Sequence, residues 1–222
     1  MTTPTLILAS NSPRRRELLA LTGLTFDVRP AEIDETPRPA EPPDLYVSRL
    51  AWSKGEAAAA LAPAGWLVLA ADTIVADGPE LLGKPGGPEQ AVAMLRQLRG
   101  RTHQVYTAIT VIETGGGRTA TDRCCTKVPM RAYHEAEIAA YVATGDPLDK
   151  AGAYAIQHAG FQPVEHFSGC FASVMGLPLC HLARTLQQLR TAPPVDVAAA
   201  CQANLEYACP VSSAILRGED LG

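Results

Sequence analysis

"LILASNSPRRRELL", residues 6–19, passes from an apolar run through a small polar loop into the opening of a helix. "TLILAS" has the length of a buried strand. Ser12 suits an N-cap, Pro13 the first helical position and Gly23 the stop. Leu18, Leu19 and Leu21 give that helix an apolar side. Further on, "WLVLAADTIVA" (66–76) reads as a buried strand that meets an aspartate. "HQVYTAITVIE" (103–113) and "RTATDRCCTKVPMRAY" (118–133) read as a strand pair around the turn "TGGG". Helices are predicted over 44–62 with Asp44 as cap and Leu45, Val47, Leu50 and Ala51 on the core side. More are predicted over 88–100, 134–144 and 177–190. Interleaved strands and helices with a central hairpin predict an α/β fold with a mixed sheet. "FQPVEHFSG" (161–169) reads as one more strand, and 30–44, with five prolines, as a loop long enough to be functional.

Three arginines at a helix start pose a problem. The helix N-terminus carries partial positive charge, so Arg14, Arg15 and Arg16 each cost about 0.3–1 kcal/mol there. A bound anion reverses the sign: free amides, helix dipole, guanidinium groups and the Ser10 and Ser12 hydroxyls then act together. The segment is not a P-loop, for it lacks G-x-x-x-x-G-K-[ST]. A solvated basic patch with Glu17 or Glu35 as counter-charge fits the same residues.

Bulk properties narrow the field. The chain has 222 residues, 47% apolar and 19% charged, and a formal net charge of −4, which suits one domain or a compact pair of lobes. With one dense basic cluster and few aromatics, a nucleic-acid polymer is not the expected partner. No apolar run reaches the roughly 20 residues that span a bilayer, so no membrane is expected either. The six cysteines form no C-x-x-C pair and are expected to be reduced, mostly buried thiols of a cytoplasmic protein. The five histidines show no metal-ligand spacing, and there is no G-x-S-x-G elbow.

Phosphate chemistry calls for a hard cation on carboxylates. Asp72 emerges where a buried strand ends, and Glu35 lies with Asp34 in the proline-rich loop. Taken singly, Asp72 fits a turn cap, Glu35 a solvated charge, and Lys54 and Lys84 surface lysines.

In order, "LASNSPRRRELL", "IDET", "AADTIV", "GKP", "AVAMLRQLRGRTHQVYTAIT", "YVATGDPLDKAGAYAIQ" and "GLPL" closely resemble the Maf family of nucleoside triphosphate pyrophosphatases, once described as septum-formation inhibitors. The resemblance runs from about residue 5 to 190. It implies an elongated mixed β-sheet flanked by helices, two lobes around a cleft, similar to the inosine triphosphate pyrophosphatases. It implies hydrolysis of a nucleoside triphosphate to monophosphate and pyrophosphate, with Mg²⁺ or Mn²⁺, and a homodimer at family level. The matching positions are Ser10, Arg14, Arg15, Glu35, Lys54, Asp72 and Lys84, with the aspartate as proton acceptor and Glu35 and Asp72 toward the metal. Arg14, Thr73 and Gln157 fall where the subgroup that cleaves dTTP and UTP sets base choice. Gly87 and Ala108 depart from the family pattern at positions given no chemistry here. Residues 1–190 are expected to form the catalytic domain. Residues 191–222, after a Pro-Pro break, are expected to form an extension with one short helix. Alternatives are a pyrophosphatase for 7-methyl-GTP or another modified nucleotide, a non-catalytic nucleotide-binding regulator of cell division, and a binder of some other phosphate ligand.

Overall fold

The computed structural model describes residues 5–219 and 221; residues 1–4, 220 and 222, which belong to the two expected segments, lie outside them. Strand β1 (Leu6–Leu8) leads into helix α1 (Pro13–Ala20), as the opening stretch predicts. Ser12 caps α1, its hydroxyl accepting from the Arg15 amide at 3.4 Å. Strand β2 (Phe26–Val28) and the proline-rich loop follow, then helix α2 (Pro43–Ala59) and the long strand β3 (Leu67–Asp77). Short β4 (Glu80–Leu82), helix α3 (Pro88–Leu98) and the hairpin β5 (Thr102–Glu113) and β6 (Thr119–Pro129) complete the sheet. Helices α4 (Glu135–Ala143), α5 (Phe171–Met175) and α6 (Leu179–Gln188) close the body. Two helices, α7 (Val197–Leu205) and α8 (Ser212–Leu216), lie beyond it.

The sheet is mixed, in the order β2-β1-β3-β5-β6. β1 pairs parallel with β2 and β3, whereas β3, β5 and β6 pair antiparallel. β5 occupies one edge of β3 from residue 67 to 76. The other edge is shared. β1 covers residues 67–69 and β4 covers 75–77, so residues 70–74 have no strand against them on that side.

Side chains alternate across the sheet. Val68, Ala70 and Ile74 face α2, whereas Leu67, Leu69, Ala71 and Val75 face the main core with α1, α3 and α6. Helix α2 seats Val47, Leu50 and Ala51 on Ile74 and Ala108, and burying Leu50 alone is worth about 2 kcal/mol. Gly55 permits the close approach: a Cβ there would lie 3.1 Å from Ile112 Cδ1. That approach brings the neighbouring Lys54 onto β3.

Five expectations need correction. Asp72, expected where a buried strand ends, lies midway along β3, because the buried apolar run continues through Ile74, Val75 and Ala76. Residues 161–169 are not a strand; only Val164 bridges, to Met130, because Gln162 and His166 take left-handed φ values that break the extended path. Asp44 is not the cap of α2. Pro42 holds that position, and Asp44 lies in the first turn paired with Arg123 at 3.0 Å. Leu45 is 55% exposed instead of core-facing. The segment after 190 carries two helices. β2, β4 and α5, of three to five residues, are too short for periodicity to announce. All six cysteines are free thiols, four of them buried. Among the described residues no helix is long and apolar enough to cross a membrane.

Beneath the cleft described next, His103 Nε2 lies 2.8 Å from the Tyr154 hydroxyl, and its Nδ1 has no partner among the described residues. Burial pushes the imidazole pKa down to about 4. The unfolded chain, with a pKa near 6.5, therefore binds more protons between these values, and stability rises with pH across that window. The contribution is full above about 6.5 and lost as pH falls through about 4. Urea titrations at several pH values should show roughly 3 kcal/mol of this rise, flattened in His103→Gln. An unchanged slope in the variant would refute the assignment.

Candidate active site

The uncovered stretch of β3 opens into a cleft of about 650 Å³, within the range of small-molecule sites. Ser10, Arg14, Arg15, Glu35, Lys54, Asp72, Thr73, Lys84 and Gln157 all line it. The structure thus gathers all nine of these residues, from six separate segments.

Its centre is an ammonium between two carboxylates. Lys54 Nζ lies 2.5 Å from Asp72 Oδ1 and 2.6 Å from Glu35 Oε1. The Lys54 and Asp72 side chains are mostly buried, whereas Glu35 is 57% exposed. Burial pushes the Asp72 carboxyl above the usual carboxylate range, and the charges of Lys54 and Arg15 pull the other way. Glu35 is positioned through its backbone, for the Tyr46 hydroxyl donates to its carbonyl at 2.7 Å. Burial, with Asp72 and Glu35 nearby, raises the Tyr46 pKa, which keeps that donor protonated. Tyr46 was missed from the sequence. The signal was present: Tyr46, Leu50 and Lys54 recur at helical spacing, and all three line the cleft.

The three arginines part company. Arg15 turns inward and donates from Nε to the Gly176 carbonyl at 2.9 Å, from Nη1 to Ser10 Oγ at 3.2 Å and from Nη2 to Thr73 Oγ1 at 3.1 Å. Arg14 lines the cleft and makes no hydrogen bond or ion pair among the described residues. Arg16 is exposed and does not line it. Of the three arginines, Arg14 is the one that lines the cleft with its guanidinium unpaired among the described residues.

The Thr73 hydroxyl lies 2.9 Å from that of Thr107, which donates to the Ser173 carbonyl at 2.8 Å. A hydroxyl has one proton, so Thr73 must donate to Thr107. The chain runs Arg15 to Thr73 to Thr107 to Ser173 of α5, and the Arg15 Nε bond ends on Gly176, the residue that closes the same helix. Gly176 takes φ +111°, and a Cβ there would sit 3.4 Å from both Arg15 Nε and Thr73 Oγ1. Its lack of a side chain lets the carbonyl reach Arg15. Thr107, Ser173 and Gly176 left no sequence signal, because two of them contribute main-chain carbonyls. Lys84 and Gln157 are exposed on the cleft rim. Their loops touch where the Gly152 amide donates to the Gly83 carbonyl at 3.1 Å.

Among the described residues no group of three or more His, Cys, Asp or Glu side chains could hold a metal ion. The protein offers two converging carboxylates, both hard oxygen donors. That fits an ion of the Mg²⁺ type, which keeps waters and takes its other ligands from phosphate.

Fold and site together define an α/β protein with a charged cleft beside the uncovered stretch of β3 in a mixed sheet. The Maf-like protein family matches residues 5–189, and the chain belongs to that family. A dTTP/UTP pyrophosphatase of Thermomicrobium roseum is 47% identical over 201 residues, 86% of this chain and 91% of that protein. Another of that name, from Myxococcus xanthus, is 50% identical over 174 residues, 78% and 87% of the two chains. Among solved structures, the Staphylococcus aureus Ham1 protein is 16% identical, covers 58% of this chain and 72% of that one, and has a TM-score of 0.43.

Proposed function

We propose that the chain is a nucleoside triphosphate pyrophosphatase that cleaves dTTP and UTP to the monophosphate and pyrophosphate. The carrying observation is the Lys54 clamp: two carboxylates held together in a cleft that also presents Arg14 and Lys84. The names of the relatives support the substrate class.

The chemistry follows from the residues. Arg14 and Lys84 offset the triphosphate charge, and Arg15 with Ser10 forms the rigid floor of the anion site. Asp72, with its raised proton affinity, accepts the proton of a water whose oxygen attacks the α phosphorus. The bond from that phosphorus to the bridging oxygen breaks, and pyrophosphate leaves with the electron pair. Lys54 keeps Asp72 aimed and shields it from Glu35. Glu35 and Asp72 would hold Mg²⁺ or Mn²⁺, which when bound supplies further positive charge against the phosphates. Free thiols and the triphosphate substrate support a cytoplasmic site of action. The partner in this reading is the nucleotide, with no nucleic-acid polymer or membrane; residues 1–190 form the catalytic domain and a homodimer is the family-level assembly.

The test is product analysis with Mg²⁺ and a panel of dTTP, UTP, CTP, GTP, 7-methyl-GTP and ITP. Monophosphate and pyrophosphate from dTTP and UTP are expected. Turnover of 7-methyl-GTP or ITP instead would overturn the base assignment, and no turnover, with Mn²⁺ also tried, would favour a non-catalytic binder.

Base choice is assigned to Arg14, Thr73 and Gln157. The Gln157 amide offers one donor and one acceptor edge, which matches the N3–H and O4 pattern of uracil and thymine. Gln157→Ala is expected to reduce the preference for UTP over CTP about tenfold, measured as the ratio of kcat/KM values. An unchanged ratio would remove Gln157 from base reading.

A further inference from the structure

Helix α5 and its C-cap Gly176 supply both carbonyls that end the Arg15 network, yet the helix has only five residues and lies between Gly169 and Gly176. Its few internal bonds do not fix it alone. Ala172 and Met175 seat one side of it in the main core, and the segment beyond residue 190, outside the family match, holds its N-terminal end. The Tyr207 hydroxyl donates to the Gly169 carbonyl at 3.1 Å. Its ring lies 5.5 Å from those of Phe167 and Phe171, the latter the first residue of α5. Tyr207 is itself fixed: its amide and that of Cys209 both bond to Gln202 of α7, at 3.2 and 2.9 Å. Asp196 caps α7, and Val197 and Cys201 enter the main core. The seam between α5, α6 and α7 is lined by Phe171, Leu179, Cys201 and Tyr207.

We infer that the C-terminal segment sets substrate affinity, with Tyr207 as a positioning residue that holds Gly169 and Phe171, through them α5, and through α5 the Arg15 guanidinium in the cleft. This deepens the pyrophosphatase reading, and its kinetic arm rests on that reading. Tyr207 touches neither the cleft nor the reacting atoms. Loosening it should weaken triphosphate binding and spare the Asp72–Lys54 centre on the opposite face of β3.

The experiment uses the full chain and two readouts. The first is solvent exchange of the Arg15 Nε proton by NMR, which needs no substrate. That proton is bound to Gly176, so its exchange reports the anchor directly. The second is KM and kcat for dTTP. Tyr207→Leu is expected to speed exchange about tenfold and raise KM about fivefold, with kcat within about twofold. In an Arg15→Lys background the same change should raise KM by less than about twofold, because the two substitutions break one network. Tyr207→Phe keeps the ring and loses only the Gly169 bond, and should give a smaller shift in both readouts. It carries the test if the leucine variant does not fold. Exchange and KM at wild-type values in a folded variant would overturn the inference, as would a fall in kcat at constant KM. A wild-type protein that turns over no nucleotide would refute the pyrophosphatase reading instead, and the exchange measurement would still decide the role of Tyr207.

Discussion

Asp72→Asn is expected to lower kcat about a thousandfold with dTTP while KM changes by less than about threefold. The amide keeps the shape of the carboxylate and an oxygen for Lys54 Nζ, but it cannot take a proton from water. Stability should move the other way. Asp72 is buried, and desolvation is the largest influence on its proton affinity, so the ionised carboxylate sits where the fold would rather hold a neutral group. Lys54 keeps the Glu35 carboxylate at 2.6 Å as well as the amide oxygen, so no charge is left unpaired, and the asparagine chain should melt at or above the wild-type temperature. Product assays and calorimetry on the same samples check both halves. Retained activity would show that another group accepts the proton. Lost activity with a large fall in melting temperature would show that Asp72 is mainly structural.

Lys54→Ala has the second largest expected effect, and it reverses the stability sign. Removing the ammonium leaves Asp72 buried without its closest partner and facing Glu35. Breaking one side of such a buried pair costs about 3 kcal/mol, and activity should fall at least about a hundredfold. The double variant Lys54→Ala/Asp72→Asn should recover most of the stability and none of the turnover, because the uncompensated charge is gone. Denaturant titration of the three variants decides the point. Additive losses would mean that the two residues do not act as a pair.

Part of this was legible in the sequence, because the first wall of the cleft is built where β1 passes into α1. Ser12, Pro13 and the preceding apolar run place α1 without tertiary information. The "LAADT" run marks the buried strand but not its end: Asp72 is expected where the strand stops, whereas it lies midway along β3. The convergence of Glu35, Lys84 and Gln157 was available only through the family resemblance, since each by itself is a loop residue. The inward turn of Arg15 was hidden, because its partners are a main-chain carbonyl 161 residues away and two hydroxyls of common type. The misread strand at 161–169 has the same origin: alternation of apolar and polar residues cannot reveal a left-handed φ at Gln162 or His166.

The pleat of β3 divides labour between consecutive residues. Asp72 meets Lys54 on the α2 face, and Thr73 meets Arg15 on the other, yet both look into one cleft because the strand edge beside them is bare. In the proposed reaction, proton handling and anion grip thus fall to consecutive residues on opposite faces of the sheet. What keeps them apart is a matter of parity. The number of residues between the point where β1 lets go and the point where β4 takes hold fixes which side chain falls on which face. The flanking loops can grow or shrink without consequence for this arrangement, whereas the five residues between the two small strands cannot change in number by one without exchanging the acid for the hydroxyl.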